Sequence, residues 1–116
     1  MSSDKEYVDF IVEQMAQAGL VTSRKMFGEF AIYNDGKVVA LICDNQLFVK
    51  PTEAGRNFIG SVVEAPPYPG AKQYYLINEK CDDREWLSHL IDVTTRELPM
   101  PIPKAKKKVK SVERLS

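Results

Sequence analysis

The sequence predicts an α+β domain in two layers, an antiparallel sheet with flanking helices. Three observations carry this. Apolar residues recur at helical spacing near both ends of the chain. The middle holds short apolar runs rich in branched and aromatic residues. Those runs are joined by connections too short for a parallel crossover. The expected order is helix, three strands, helix, one or two strands, helix.

Ser3-Asp4-Lys5-Glu6 has the form of a capping box, with Ser3 and Glu6 bonding reciprocally to each other's backbone N–H. Tyr7, Val8, Ile11, Val12, Met15 and Ala18 follow on one face of a helix of about four turns. Gly19 is expected to end it in a left-handed conformation. Met26-Phe27 and Phe30-Ala31-Ile32-Tyr33 then read as strand, interrupted at Gly28 by a bulge. Asn34-Asp35-Gly36-Lys37 supplies the positive φ of a tight hairpin. Val38-Val39-Ala40-Leu41-Ile42-Cys43 returns, Asp44-Asn45 turns again, and Gln46-Leu47-Phe48-Val49-Lys50 completes a meander.

Residues 51–60 predict a short helix, with Pro51 in its first turn and Gly60 at its exit. Val62-Val63 is a candidate brief strand. Ala65-Pro66-Pro67-Tyr68-Pro69-Gly70 must be a loop, because its prolines remove backbone donors. Lys72-Gln73-Tyr74-Tyr75-Leu76-Ile77 is another strand, which turns Tyr74 and Tyr75 to opposite faces. Asp82 or Asp83 caps a final helix with Glu85 in its first turn, Leu87, Leu90 and Ile91 along its apolar stripe and Trp86 as a core anchor. Pro99, Pro101 and Pro103 stop it. Residues 1–98 thus form the domain, and 99–116 a Pro/Lys-rich tail with nothing to bury, expected to be disordered or partner-dependent. One face of the sheet is buried under helices; the other is left to solvent or to a second subunit.

The chain has 116 residues and no net charge, but the charge is unevenly spread. Residues 104–116 hold six Lys or Arg against one Glu, a net of +5; the remainder holds ten against fifteen, a net of −5. Lys104, Lys106, Lys107, Lys108 and Lys110 are therefore candidate contacts to nucleic acid or another polyanion, with a solubilising terminus as the plainer reading. The folded part is not a basic, duplex-binding surface. No apolar run approaches the roughly 20 residues of a membrane span, and the opening residues lack the order of a secretory signal, so a cytoplasmic location is expected.

No catalytic constellation is legible. Cys43 and Cys81 form no Cys-x-x-Cys pair, and the single His89 cannot complete a metal site with them. There is no phosphate-binding glycine motif. Asp82, Asp83 and Glu85 are explained by helix capping, and Asn34-Asp35-Gly36 by the hairpin rather than by calcium. No cofactor and no metal are expected.

Arg24-Lys25-Met26-Phe27-Gly28-Glu29 stands apart: two cations, an apolar pair, a glycine and an acid in six residues. By strand alternation Arg24 and Met26 share one face, and Lys25 and Phe27 the other. Local physics reads it as a charged, protected edge strand. This run, with Tyr33, Asp35-Gly36-Lys37, Leu47-Phe48-Val49-Lys50, Pro66-Pro67-Tyr68 and Tyr74-Tyr75, resembles the N-terminal domain of the TfoX/Sxy proteins, which include regulators of bacterial competence. The resemblance covers residues 5–97. It implies a fold like that of type III secretion chaperones, often dimeric, and action with the cyclic-AMP receptor protein at competence promoters. The full-length regulators carry a second, C-terminal domain; here a proline-rich stretch and a lysine tail follow instead.

The resulting expectation is a non-enzymatic binding module that acts through protein contacts in transcriptional regulation. Arg24, Lys25, Phe27, Gly28 and Lys50 are its contact patch. A homodimer through the sheet or an edge strand is also expected. The alternatives are nucleic-acid binding led by the tail and an enzyme with an unrecognised site.

Overall fold

A computed structural model describes residues 3–26 and 29–99. The first helix, α1, spans Lys5–Gln14, and a single 3-10 turn follows at Ala16–Ala18. Strands β1 (Val21–Met26), β2 (Glu29–Asn34), β3 (Lys37–Cys43) and β4 (Gln46–Val49) come next. Helix α2 is Glu53–Ile59, β5 is Glu64–Ala65, β6 is Tyr74–Ile77 and α3 is Arg84–Glu97. All pairings are antiparallel, in the order β1-β2-β3-β4-β6-β5. The fold class is the expected one.

The sheet sorts its side chains by alternation. Phe30, Ile42, Leu47 and Ile77 form one cross-strand row, and Ile32, Ala40, Val49 and Tyr75 another. Both rows are buried, packed with Val8, Ile11 and Met15 of the α1 segment and Leu87, Leu90 and Ile91 of α3. This is the core. The row between them, Arg24, Ala31, Leu41, Phe48 and Leu76, points to the other face, which no helix among the described residues covers.

The two tight hairpins form as the sequence predicts. Asp35 and Gly36 have φ of 53° and 86°, and Asp44 and Asn45 have 54° and 56°, the mirror-image turn geometry that suits twisted strands. The first hairpin does more than reverse the chain. Asn34, fully buried, donates from Nδ2 to Thr95 Oγ1 at 2.9 Å. The Asp35 carboxylate accepts from Leu20 N, and Asp35 N donates back to Leu20 O. Lys37 Nζ donates to the carbonyls of Thr95 and Leu98, each at 2.9 Å. Those carbonyls belong to the last turn of α3 and to its C-cap Leu98, where unpaired C=O groups favour a cation.

Several expectations are corrected. The capping box at Ser3 does not form: Asp4 is the N-cap of α1 and makes no side-chain cap bond. Ser3 Oγ instead donates to Glu29 Oε1 at 2.7 Å and accepts from Asn45 N at 3.0 Å, because the chain start is drawn onto the β3–β4 turn. The helix is ten residues long rather than four turns, and Gly19 is not in the left-handed helical region. Its φ of 151° and ψ of −152° are open to glycine alone, and a Cβ there would lie 2.6 Å from Asn34 Oδ1.

Nor do Val21–Met26 and Glu29–Asn34 form one bulged strand. Residues on either side of positions 27 and 28 form two strands, with Met26 paired to Glu29, and the bulge lies between Ile32 and Tyr33, where β3 has an additional residue at Val39. The charged edge strand read at Arg24–Glu29 begins earlier, at Val21, and ends at Met26 as a strand separate from β2; Thr22 and Ser23 show no apolar alternation because the edge is exposed. Pro51 precedes α2, whose cap is Thr52, its hydroxyl accepting from Gly55 N at 3.0 Å. The brief strand falls at Glu64–Ala65, one residue past Val62-Val63. Trp86 is half-buried at the core's margin, tilted against Phe58, rather than an interior anchor. Asp83 caps α3 as expected, accepting from Trp86 N at 3.1 Å, and of the two tyrosines Tyr75 is the buried one.

The Lys37 tie gives a direct expectation. Lys37→Met removes two charge-assisted bonds and should lower the unfolding free energy by roughly 1–3 kcal/mol in urea titration. A loss comparable to that of a neutral surface substitution, under about 0.5 kcal/mol, would show that the tie is incidental.

Candidate functional site

The helix-free face of the sheet is not simply a solvent-exposed surface. Ala31, Phe48 and Cys43 are nearly as buried as the core. Cover comes from the loop between β5 and β6, stiffened by Pro66, Pro67 and Pro69. Gly70, at φ 88°, and the bond from Ala71 N to Tyr68 O at 3.1 Å turn it back, and Tyr68 comes to lie over the sheet. Between Tyr68 and the edge strand a groove of about 520 Å³ remains, lined by Met26, Ala31, Leu41 and Cys43, with Glu29 at its rim. Tyr68 is 56% exposed and Met26 42%, so the walls of the groove are themselves accessible apolar surface.

Glu29 Oε1 accepts from Ser3 Oγ and, at 3.2 Å, from Asp44 N, so this carboxylate is engaged within the fold. Burial, with the Glu29 charge nearby, pushes the Cys43 thiol up to about 11, which keeps it protonated at neutral pH. The Tyr74 hydroxyl is also raised, first by burial and then by Tyr68 and Cys43. These are poor nucleophiles and bases at neutral pH.

Other titratable groups have structural partners. Burial, followed by the Cys81 thiol beside it, lifts Tyr7 to about 12. Cys81 is itself raised by burial, and its Sγ donates to Ile77 O at 3.4 Å. The Glu97 carboxylate accepts from Ala54 N and Glu53 N, which hold it below the usual range and fasten the end of α3 to the start of α2. His89 stacks on Phe58 with ring centroids 4.6 Å apart. Among the described residues no three His, Cys, Asp or Glu gather as metal ligands. Nor is any helix among them long and apolar enough to cross a membrane.

The contact residues expected from sequence are dispersed. Arg24 lies on β1 on the same face as the groove, in the row of Ala31 and Leu41. Lys25 is next to it but belongs to the opposite face, in the row of Phe30 and Ile42. Lys50 follows the end of β4, three strand spacings from β1, or about 14 Å. Phe27, Gly28 and the tail lysines lie outside the described residues.

Sequence reading missed the groove itself, though one signal was present. Val38 to Cys43 is apolar without interruption, and such a run marks a strand buried on both faces. The cover over the second face, Tyr68, comes from 25 residues beyond Cys43, and nothing local announces that approach.

Comparison with known proteins identifies the family. The family model of the TfoX N-terminal domain matches residues 13–98, which hold the whole sheet, α2 and α3. An uncharacterised 12.7 kDa protein in the trpE 5′ region of Spirochaeta aurantia is 40% identical over 107 residues, covering 92% of this chain and 93% of that one.

The groove makes the Cys43 thiol a reporter. Its shift from 9.0 to about 11 lowers the thiolate fraction at pH 8 about a hundredfold. In a Cys81→Ser background, iodoacetamide should alkylate the native protein at least tenfold more slowly than the urea-unfolded chain. Equal rates would mean that Cys43 is exposed and that the groove is not covered as described.

Proposed function

We propose, for a chain that belongs to the TfoX N-terminal domain family, that it is a non-enzymatic binding module of a regulatory kind, acting through protein contacts on the helix-free face of its sheet. One observation carries this reading. An apolar groove of about 520 Å³ opens beside an exposed tyrosine, an exposed methionine and an arginine on the same face. Tyr and Arg dominate the energetics of protein interfaces, because each offers a large contact area together with a directed polar group. Met adapts to the shape of whatever it meets. The groove holds no reactive nucleophile and no metal-ligand cluster among the described residues, which favours recognition over chemistry.

The family resemblance suggests where such a module acts. Competence-type transcriptional regulation, with a regulator such as the cyclic-AMP receptor protein as the partner, is the specific form of this proposal. Arg24 contributes from the groove's own face. Lys25 and the groove are joined through the edge strand that both border.

The test is affinity capture with the full chain and three variants. Arg24→Glu replaces an exposed side chain and should change stability by no more than about 0.5 kcal/mol, whereas Tyr68→Ala uncovers part of the sheet and should cost roughly 1–2 kcal/mol, leaving the chain folded. Each should reduce the amount of specifically captured partner at least tenfold. His89→Ala, on the outer side of α3, should capture as the parent does. Undiminished capture by both groove-face variants would remove the face as the contact surface.

A further inference from the structure

The two edges of the sheet differ. On one side β5 is only two residues long and offers little to pair with. On the other, β1 is six residues, about 20 Å. All six pair inward with β2. In an antiparallel ladder alternate residues turn their backbone N–H and C=O outward, and no described strand takes those of β1. Every residue after Val21 in this strand is exposed.

The side chains along this edge follow a pattern. Arg24 and Lys25 occupy successive positions, and the strand contains no acid. Neither cation is in an ion pair with another described residue. Leu20, just before the strand, is 73% exposed, and Met26 at its end is 42% exposed. A cationic centre between two apolar ends therefore borders a chain that, outside its tail, carries a net charge of −5.

We propose that β1 is a strand-addition site for an acidic extended segment of a partner protein, which pairs with it as a seventh strand. Backbone hydrogen bonds supply the affinity, and side chains on the two faces supply the choice. Because Arg24 and Lys25 point to opposite faces, two successive acids on the incoming strand are read by both, one on each side of the sheet. Apolar residues flanking those acids rest on Leu20 and Met26, and the one beside Met26 reaches the groove. A second copy of this chain is the wrong occupant for the same edge. Two β1 strands side by side would bring four cations together with no acid, and like charges across a strand pair repel. Cations on an edge are the usual device against such self-pairing. This inference rests on the binding-module reading and names the chemistry of its partner.

The experiment uses the full chain and two capped eight-residue peptides, Val-Thr-Val-Glu-Glu-Val-Thr-Val and the same sequence with Lys-Lys at its centre. Amide NMR with hydrogen exchange reads the site. The Glu-Glu peptide is expected to slow exchange at alternate residues of β1 and to bind at least tenfold more tightly than the Lys-Lys peptide. The double variant Arg24→Glu, Lys25→Glu should reverse that preference. Equal binding of the two peptides, protection at β5 or β6 in place of β1, or protection of β1 that rises with protein concentration in the absence of peptide would each overturn the proposal, the last in favour of a second copy. If Tyr68→Ala abolishes partner capture while neither peptide protects β1, the strand-addition site fails and the binding face stands. If both fail, the module reading fails with them.

Discussion

The turn at residues 34–37 is the constraint on which the arrangement of the layers depends. Its backbone only reverses the chain, but its side chains fasten two helical segments to one end of the sheet. Lys37 closes the last carbonyls of α3, Asn34 reaches Thr95 from inside the core, and Asp35 holds Leu20 just after the 3-10 turn. Gly19 must be glycine for this to occur, because the Asn34 carboxamide oxygen occupies the space a Cβ would need. The helical segment before Leu20 and the end of α3 are thereby tied to the same end of the sheet. Ser88 Oγ completes the link, donating to Gln14 O at 2.9 Å where α3 crosses the end of α1. Apolar burial supplies the stabilisation, but these directed bonds decide which face receives the helices.

That decision creates the surface on which function is proposed. With α1 and α3 committed to one face, Leu41 and Leu76 are left half-covered on the other, and Ala31, Cys43 and Phe48 rely on a proline-stiffened loop. A loop restrained by prolines loses less entropy when a partner orders it further. The groove therefore combines apolar area with a proline-restrained wall. Its thiol is held protonated by burial and its carboxylate is engaged within the fold.

The parts of this structure legible in sequence were those fixed by local chemistry. Asp35-Gly36 and Asp44-Asn45 announce tight turns because few residues tolerate positive φ, and Asp83 announces a helix start because its carboxylate satisfies an otherwise unpaired N–H. The opposite orientations of Arg24 and Lys25 also followed from alternation alone. What stayed hidden were long-range choices. Ser3 had a plausible local partner in Glu6 yet bonds to Glu29 and Asn45, far along the chain. Strand β1 was legible only in its charged half, Arg24 to Met26; its start at Val21, with Thr22 and Ser23, carries no apolar stripe because the strand is an edge. Tyr68 looked like one residue of a proline loop, and only the folded chain places it across from Met26.

The central claim is a division of labour: the helical face is scaffold, and the bare face with its β1 edge is the contact surface. Hydrogen exchange of the full chain, alone and saturated with its captured partner, tests this most directly. The account predicts slower exchange in β1 and in the loop around Tyr68, with α2 and α3 unchanged. Protection confined to the outer surfaces of α2 and α3, around Phe58 and His89, with β1 and the Tyr68 loop unaffected, would contradict it.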